Sequence, residues 1–255
     1  MLADRVTVGT SPAQSVLLVG LGGLGCPAAL ALVRAGVSRV LLCDDDVVDE
    51  TNLHRQILFG QGDVGRDKLD AARDALAPLA ARSGTTLELV RQRFLPDNAR
   101  ALVRAADLVI EGSDNFATKF LVADACYLER RPAIHGAAIR WIGTAWAVAS
   151  TGQPCYRCLF EAAPAGTHQS CDGAGVMGPV VGIVGAMMAE LGLRLLAGRP
   201  PEAAIWSLDG KADRLRRAPV HPRPTCPLCG RERSIHDIIE SRYLSGAATH
   251  PARAN

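Results

Sequence analysis

Between residues 51 and 56 the chain reads TNLHRQ, and GRDK follows at 65–68. Hydride transfer leaves phosphate bonds intact and needs no cation beside them. Attack on an α-phosphate does, because charge builds on the transferring oxygens and on the departing pyrophosphate. Arg55 and Lys68 are the candidates to stabilise that charge, with Thr51, Asn52 and Gln56 as hydrogen-bonding partners that orient it. Further along, GSDNFAT supplies Asp114, a carboxylate of the kind that holds Mg²⁺ across phosphate oxygens. Asn115 beside it either meets the same ligand or caps the helix that follows. Taken singly, each residue reads as readily as a solvated charge or a loop cap.

These side chains need a scaffold that aims them at one place. Residues 20–25, GLGGLG, match G-x-G-x-x-G between an apolar stretch, Ser15–Gly20, and a helical one, Cys26–Ala35. Gly20, Gly22 and Gly23 let backbone approach phosphate, and helix-terminal N–H groups attract its charge. Asp44, 19 residues beyond Gly25 at the end of the strand Arg39–Cys43, is placed to accept from ribose hydroxyls, with Asp46 close by. Further strands are expected at Leu87–Arg93, Leu108–Glu111, Ala133–His135 and Trp141–Ala149. Helices are expected at Asp67–Ala81, Asn98–Arg104, Phe116–Arg130 and Pro179–Ala197. This alternation predicts an α/β fold, a doubly wound, Rossmann-like, mostly parallel sheet. Residues 1–14 form a short arm, 15–150 the nucleotide-binding region, 151–233 a loop, helix and cysteine-bearing extension of the same domain, and 234–255 a polar tail expected to fray.

The eight cysteines include two C-x-x-C pairs, Cys155/Cys158 and Cys226/Cys229. Four thiolates make a closed tetrahedral Zn²⁺ site if the fold joins pairs separated by 67 residues; independent thiol pairs or a redox dithiol are the alternatives. Cys26, Cys43 and Cys126 sit on apolar elements as small buried hydrophobes. Cys171 follows a Pro/Gly/Ser-containing loop and is a candidate nucleophile. A formal charge of +2 provides no general field for nucleic acid or membrane. The uncharged run before Arg34 carries too many glycines, and no basic stretch, to be a signal peptide. The run Gly173–Ala189 is shorter than the roughly 20 residues a span requires. A cytoplasmic protein is expected.

The ordered set GLGGLGCP, D-x-D followed by TNLHRQ, GRDK, SDNFAT, CYRC, CDGAGVMGP and CPLCG resembles the ThiF/MoeB family of adenylyltransferases, which are related to ubiquitin-activating enzymes. The resemblance implies ATP and Mg²⁺ as cofactors, a structural Zn²⁺, and adenylation of the C-terminal glycine carboxylate of a small ubiquitin-like sulfur carrier protein ending in Gly-Gly. It further implies a homodimer and places phosphate at Gly23, ribose at Asp44, phosphate contacts at Asn52, Arg55 and Lys68, and Mg²⁺ at Asp114. Cys171 occupies a position that in some relatives links covalently to the carrier. Family members carry an N-terminal arginine that reaches the partner subunit's site; here Arg5 is the candidate, and a separate sulfur donor protein is expected. Lys119 stands where the family usually has arginine. His54 and His135 read as structural. An NAD-dependent oxidoreductase and a non-catalytic carrier-binding relative remain as alternatives.

Overall fold

The structure, a computed structural model, describes residues 14–161 and 175–243. One eight-stranded sheet runs through it in the order β3-β2-β1-β4-β5-β6-β7-β8. The first five strands are β1 (Ser15–Val19), β2 (Arg39–Cys43), β3 (Thr86–Val90), β4 (Leu108–Glu111) and β5 (Ala133–Ile139), and they pair in parallel. Then β6 (Ile142–Val148), β7 (Ala204–Asp209) and β8 (Arg214–Pro219) extend the sheet antiparallel. The strands β1 and β2, buried on both faces, are continuous apolar runs, as a covered parallel sheet demands.

Alternate residues of β1 feed two cores. Val16 and Leu18 pack beneath α1 (Gly25–Arg34), α2 (Lys68–Ser83) and the last long helix, while Leu17 and Val19 face α3 (Ala99–Arg104) and α4 (Phe116–Leu128). A short helix α5 (Tyr156–Leu159) lies within the first C-x-x-C pair and joins the second core. The last long helix, α6 (Gly178–Leu196), is apolar and long enough to cross a membrane by length and composition. Its glycines show a different use. A Cβ at Gly185 would lie 2.5 Å from the Leu24 carbonyl oxygen, and one at Gly192 would lie 2.9 Å from Leu108. The helix is therefore seated directly on α1 and the sheet, and its Met188 fills the space that Gly136 leaves open.

Two features depart from the sequence reading. The strands β7 and β8 were not anticipated, because AIWSLD and RLRRAP lack clean alternation and β8 is exposed throughout as the sheet's edge. The region expected to fray from Ser234 instead packs as far as Tyr243. Ile235 and Tyr243 are buried, and the Tyr243 hydroxyl donates to Asp124 at 2.7 Å. Arg157 completes that buried cluster with a paired contact to both Asp124 oxygens, at 2.7 and 2.8 Å. Ile235, Ile238 and Tyr243 pin the stretch, a spacing that composition does not register.

Candidate active site

The carboxyl ends of β1, β2, β4 and β5 surround a cleft of about 290 Å³. It opens where the connections from β1 and β4 leave in opposite directions, the place where open α/β sheets bind ligands. Gly20, Gly22, Gly23, Asp44, Asp46, Asn52, Arg55, Gln56, Lys68, Asp114 and Asn115 all line it. Residues up to 95 positions apart in the chain thus meet at one site, as the sequence pattern required.

The glycine loop is shaped for close approach. Gly20 has φ +90°, and a Cβ there would sit 3.2 Å from the backbone of Gly112 and Ser113. A Cβ at Gly23 would come within 2.6 Å of Val181 and 3.3 Å of Arg55 Cγ, whereas one at Gly22 meets only Gln56, at 4.0 Å. Asp44 ties β2 to the loop by accepting from Leu21 N at 2.6 Å, and its other oxygen accepts from Asp46 N at 2.9 Å. The carboxylate is fixed with lone pairs remaining for hydroxyl donors.

Lys68 opens α2, whose N-cap Asp67 accepts from Asp70 N at 3.0 Å. The ammonium lies 2.9 Å from Asp46 and 4.0 Å from Asp44. Burial works against its charge, but the two carboxylates outweigh burial and raise its pKa, so it stays a cation in the cleft. Asn115 accepts from Thr118 N at 2.8 Å, which confirms its capping role and aims the start of α4 at the cleft. The amide oxygen of Gln56, buried in the wall, has no hydrogen-bond partner among the described residues.

Thr51 is the exception. It stands outside the cleft, its hydroxyl bonded to Asp49 at 2.6 Å and its carbonyl accepting from Arg55 at 3.4 Å, so it shapes the turn that presents Arg55. His54 is likewise a turn residue, its ring nitrogen 2.8 Å from the Thr51 carbonyl oxygen. His135 is buried, as read. Cys171 and Arg5 lie outside the described residues. The sequence reading missed Ser113, Thr118, Arg93, Phe94 and Val181 as lining residues. Ser113 had a signal, its place between Gly112 and Asp114 after a strand; Val181 had none, since only packing brings α6 there.

The two cysteine pairs converge. Cys155 and Cys226 sulfurs lie 3.4 Å apart, Cys158 and Cys229 3.3 Å, and Cys155 and Cys158 3.9 Å. All four lie within 4.8 Å of one another. Tetrahedral Zn²⁺ with Zn–S near 2.3 Å places its sulfurs roughly 3.8 Å apart, so this set fits. Hydrogen bonds from Cys155 and Cys158 pull the Cys229 thiol down to about 5, while its contact with Cys229 and burial push Cys155 up. Thiolates this close need a cation to share a site. Cys26, Cys43 and Cys126 are buried, and burial raises their thiols, Cys26 and Cys43 to about 12.

Fold and site together define a Rossmann-like α/β protein whose cleft gathers the glycine loop with Arg55, Lys68 and Asp114. The chain belongs to the ThiF family, which matches residues 11–228. It is 35% identical over 236 residues to the adenylyltransferase and sulfurtransferase MOCS3 of Anopheles gambiae, covering 91% of this chain and 53% of that protein. The chain thus spans about half the length of that relative. It is also 35% identical over 236 residues to the SAMP-activating enzyme E1 of Haloferax volcanii, covering 91% of this chain and 86% of that one. Among solved structures, E. coli MccB with ATP superposes with TM-score 0.72 at 19% identity, over 89% of this chain and 68% of the other, a likeness of fold.

Proposed function

We propose that the protein uses ATP to adenylate the C-terminal glycine carboxylate of a small ubiquitin-like sulfur carrier protein, preparing it for sulfur transfer in cofactor, tRNA or metabolite biosynthesis. The observation that carries this reading is the convergence of Gly20, Gly22, Gly23, Asp44, Asn52, Arg55, Lys68 and Asp114 on one cleft in a chain of the ThiF family. A carboxylate oxygen attacks the α-phosphorus, a P–O bond to the acyl group forms, the bond to the β-phosphate breaks, and pyrophosphate leaves with its electron pair. A glycine carboxylate, with a pKa of roughly 3.5, is already anionic at neutral pH, so the step needs alignment and charge neutralisation without a general base.

The glycine loop would hold phosphate against backbone, and Asp44 the ribose hydroxyls. Arg55 and Lys68 would neutralise the phosphates, oriented by Asn52 and Gln56. Asp114 would hold Mg²⁺, which supplies further charge stabilisation across the phosphates. The four cysteines would hold a structural Zn²⁺ that closes the extension. Cys171 as nucleophile toward the acyl-adenylate, Arg5 as a cross-subunit arginine of a homodimer, a separate sulfur donor protein, and a cytoplasmic setting complete the reading. The NAD-dependent alternative is disfavoured by Arg55 and Lys68 at the cleft and by the adenylyltransferase relatives.

The test is ATP–pyrophosphate exchange with small proteins ending in Gly-Gly. Exchange dependent on one such protein supports the proposal; none with any of them, together with tight NAD binding, overturns it.

A further inference from the structure

Beneath the turn that carries Asp114 lies a buried charge pair that the adenylation chemistry does not itself use. Glu111 ends β4 and is fully buried. One carboxylate oxygen accepts from Ser113 N at 2.8 Å and from the Ser113 hydroxyl. The other accepts from Lys119 Nζ at 2.8 Å, with His135 Nδ1 3.7 Å away. Lys119, on the first turns of α4, also donates to the Gly136 carbonyl on β5 at 2.6 Å, and it is 6% exposed at the cleft wall.

The position of this pair matters because the turn has little room. A Cβ at Gly20 would meet Gly112 and Ser113 backbone at 3.2 Å, and one at Gly112 would meet Gly25 N at 3.3 Å. The Gly112–Asp114 turn therefore rests backbone to backbone on the glycine loop. Ser113 N is directed at the buried end of β4 and needs an acceptor there. Glu111 supplies it. Lys119 balances the charge that a bare carboxylate would set beneath a polyphosphate site.

We propose that Glu111 is a positioning residue for nucleotide and Mg²⁺ binding: it sets the Ser113–Asp114 turn against the glycine loop, and Lys119 keeps its carboxylate compatible with a polyanionic ligand. This rests on the nucleotide-binding part of the proposed function. It gives a role to the lysine at position 119, where the family usually has arginine. The ammonium's described partners are protein groups, Glu111 and Gly136.

The test compares two double variants in the full chain, with binding of the non-hydrolysable analogue AMPCPP in Mg²⁺ measured by calorimetry. Glu111→Gln with Lys119→Met removes both charges but keeps an acceptor for Ser113, and is expected to bind within about threefold of wild type. Glu111→Leu with Lys119→Met removes the acceptor as well, and is expected to bind at least about tenfold more weakly and to lose most of the Mg²⁺ dependence. A purely structural pair predicts equal binding by the two, and that result overturns the inference while leaving the proposed function standing. If either double variant does not fold, Ser113→Ala takes its place; it deletes one donor to Glu111 and is expected to weaken binding about threefold at unchanged melting temperature. Unchanged binding by that variant overturns the inference too. Absence of AMPCPP binding by wild type overturns both readings together.

Discussion

Gly23 and Arg55 are in van der Waals reach: a Cβ on residue 23 would lie 3.3 Å from Arg55 Cγ and 2.6 Å from Val181 Cγ1. The glycine loop, the TNLHRQ turn and α6 thus converge on a point with no room for a methyl group. Gly23→Ala is expected to push Arg55 and Val181 outward, costing about 1–3 kcal/mol of stability and lowering nucleotide binding about tenfold. Urea unfolding and calorimetry on the same preparations measure both.

Asp114 is the one exposed carboxylate on the turn facing the glycine loop, where it would hold Mg²⁺. Asp114→Ala is expected to lower ATP–pyrophosphate exchange by roughly 10²-fold or more, the scale of losing one preorganised electrostatic contact. Melting temperature should move little. Exchange near the wild-type rate would remove Asp114 from the proposed chemistry.

The four-cysteine cluster is expected to hold one Zn²⁺ per chain, read by elemental analysis. Cys226, fully buried, is the ligand whose loss should be felt most. Cys226→Ser is expected to release the metal and to lower the melting temperature by several degrees or more, as chelation of wild type should. Adenylation measured at low temperature should survive better than stability, since the cluster lies apart from the residues lining the cleft.

His135 carries a pH dependence of stability. Burial depresses its pKa, Glu111 offsets this only in part, and Lys119 lowers it further; the Tyr156 ring lies tilted against it, centroids 4.6 Å apart. Below about pH 6.5 the unfolded chain takes up a proton that the folded chain refuses. The stability from neutral His135 is therefore complete above that value and is lost as pH falls from it toward the folded pKa. Glu111 acts in a lower window: burial favours its protonation, but Lys119 and His135 outweigh burial, so its contribution is lost only as pH drops through a value below the usual glutamate range. His135→Phe is expected to flatten the urea midpoint between pH 7.5 and 5.5.

The Asp124–Arg157–Tyr243 cluster anchors the segment after the second cysteine pair. Arg157→Ala is expected to cost about 3–5 kcal/mol, because Asp124 stays buried without its cation. Tyr243→Phe, which removes one hydrogen bond, should cost about 1 kcal/mol. A similar cost for both would show that the Arg157–Asp124 ion pair contributes no more than the Tyr243 hydrogen bond.

Much of the site was legible before any fold was known, and for identifiable reasons. Glycines at 20, 22 and 23 between an apolar strand and a helix have few uses other than close backbone approach. The paired spacing of Cys155/Cys158 and Cys226/Cys229 is ligand spacing within each pair. The misses share a cause as well. Thr51 sits inside the motif yet serves its turn, since a side chain's direction depends on local backbone that composition does not encode. Glu111 reads as the last residue of a buried strand, and nothing in its neighbours along the chain reveals a partnership with Lys119 and His135.

The sequence by itself determined the elements and the chemistry available to them. Apolar runs set β1, β2 and β4, glycine punctuation set the loop, and the residue types at 44, 52, 55, 68 and 114 set the charged and polar groups available to the cleft. These signals are local, carried by neighbours within one strand or turn. Tertiary structure alone decided that β7 and β8 extend the sheet, that α6 supplies Val181 to the cleft, that four cysteines from two distant pairs meet, and that a buried Glu111–Lys119 pair lies beneath Asp114. Those outcomes depend on which surfaces exclude water together, a relation among residues far apart in the chain, and it appears only once the sheet has brought them into contact.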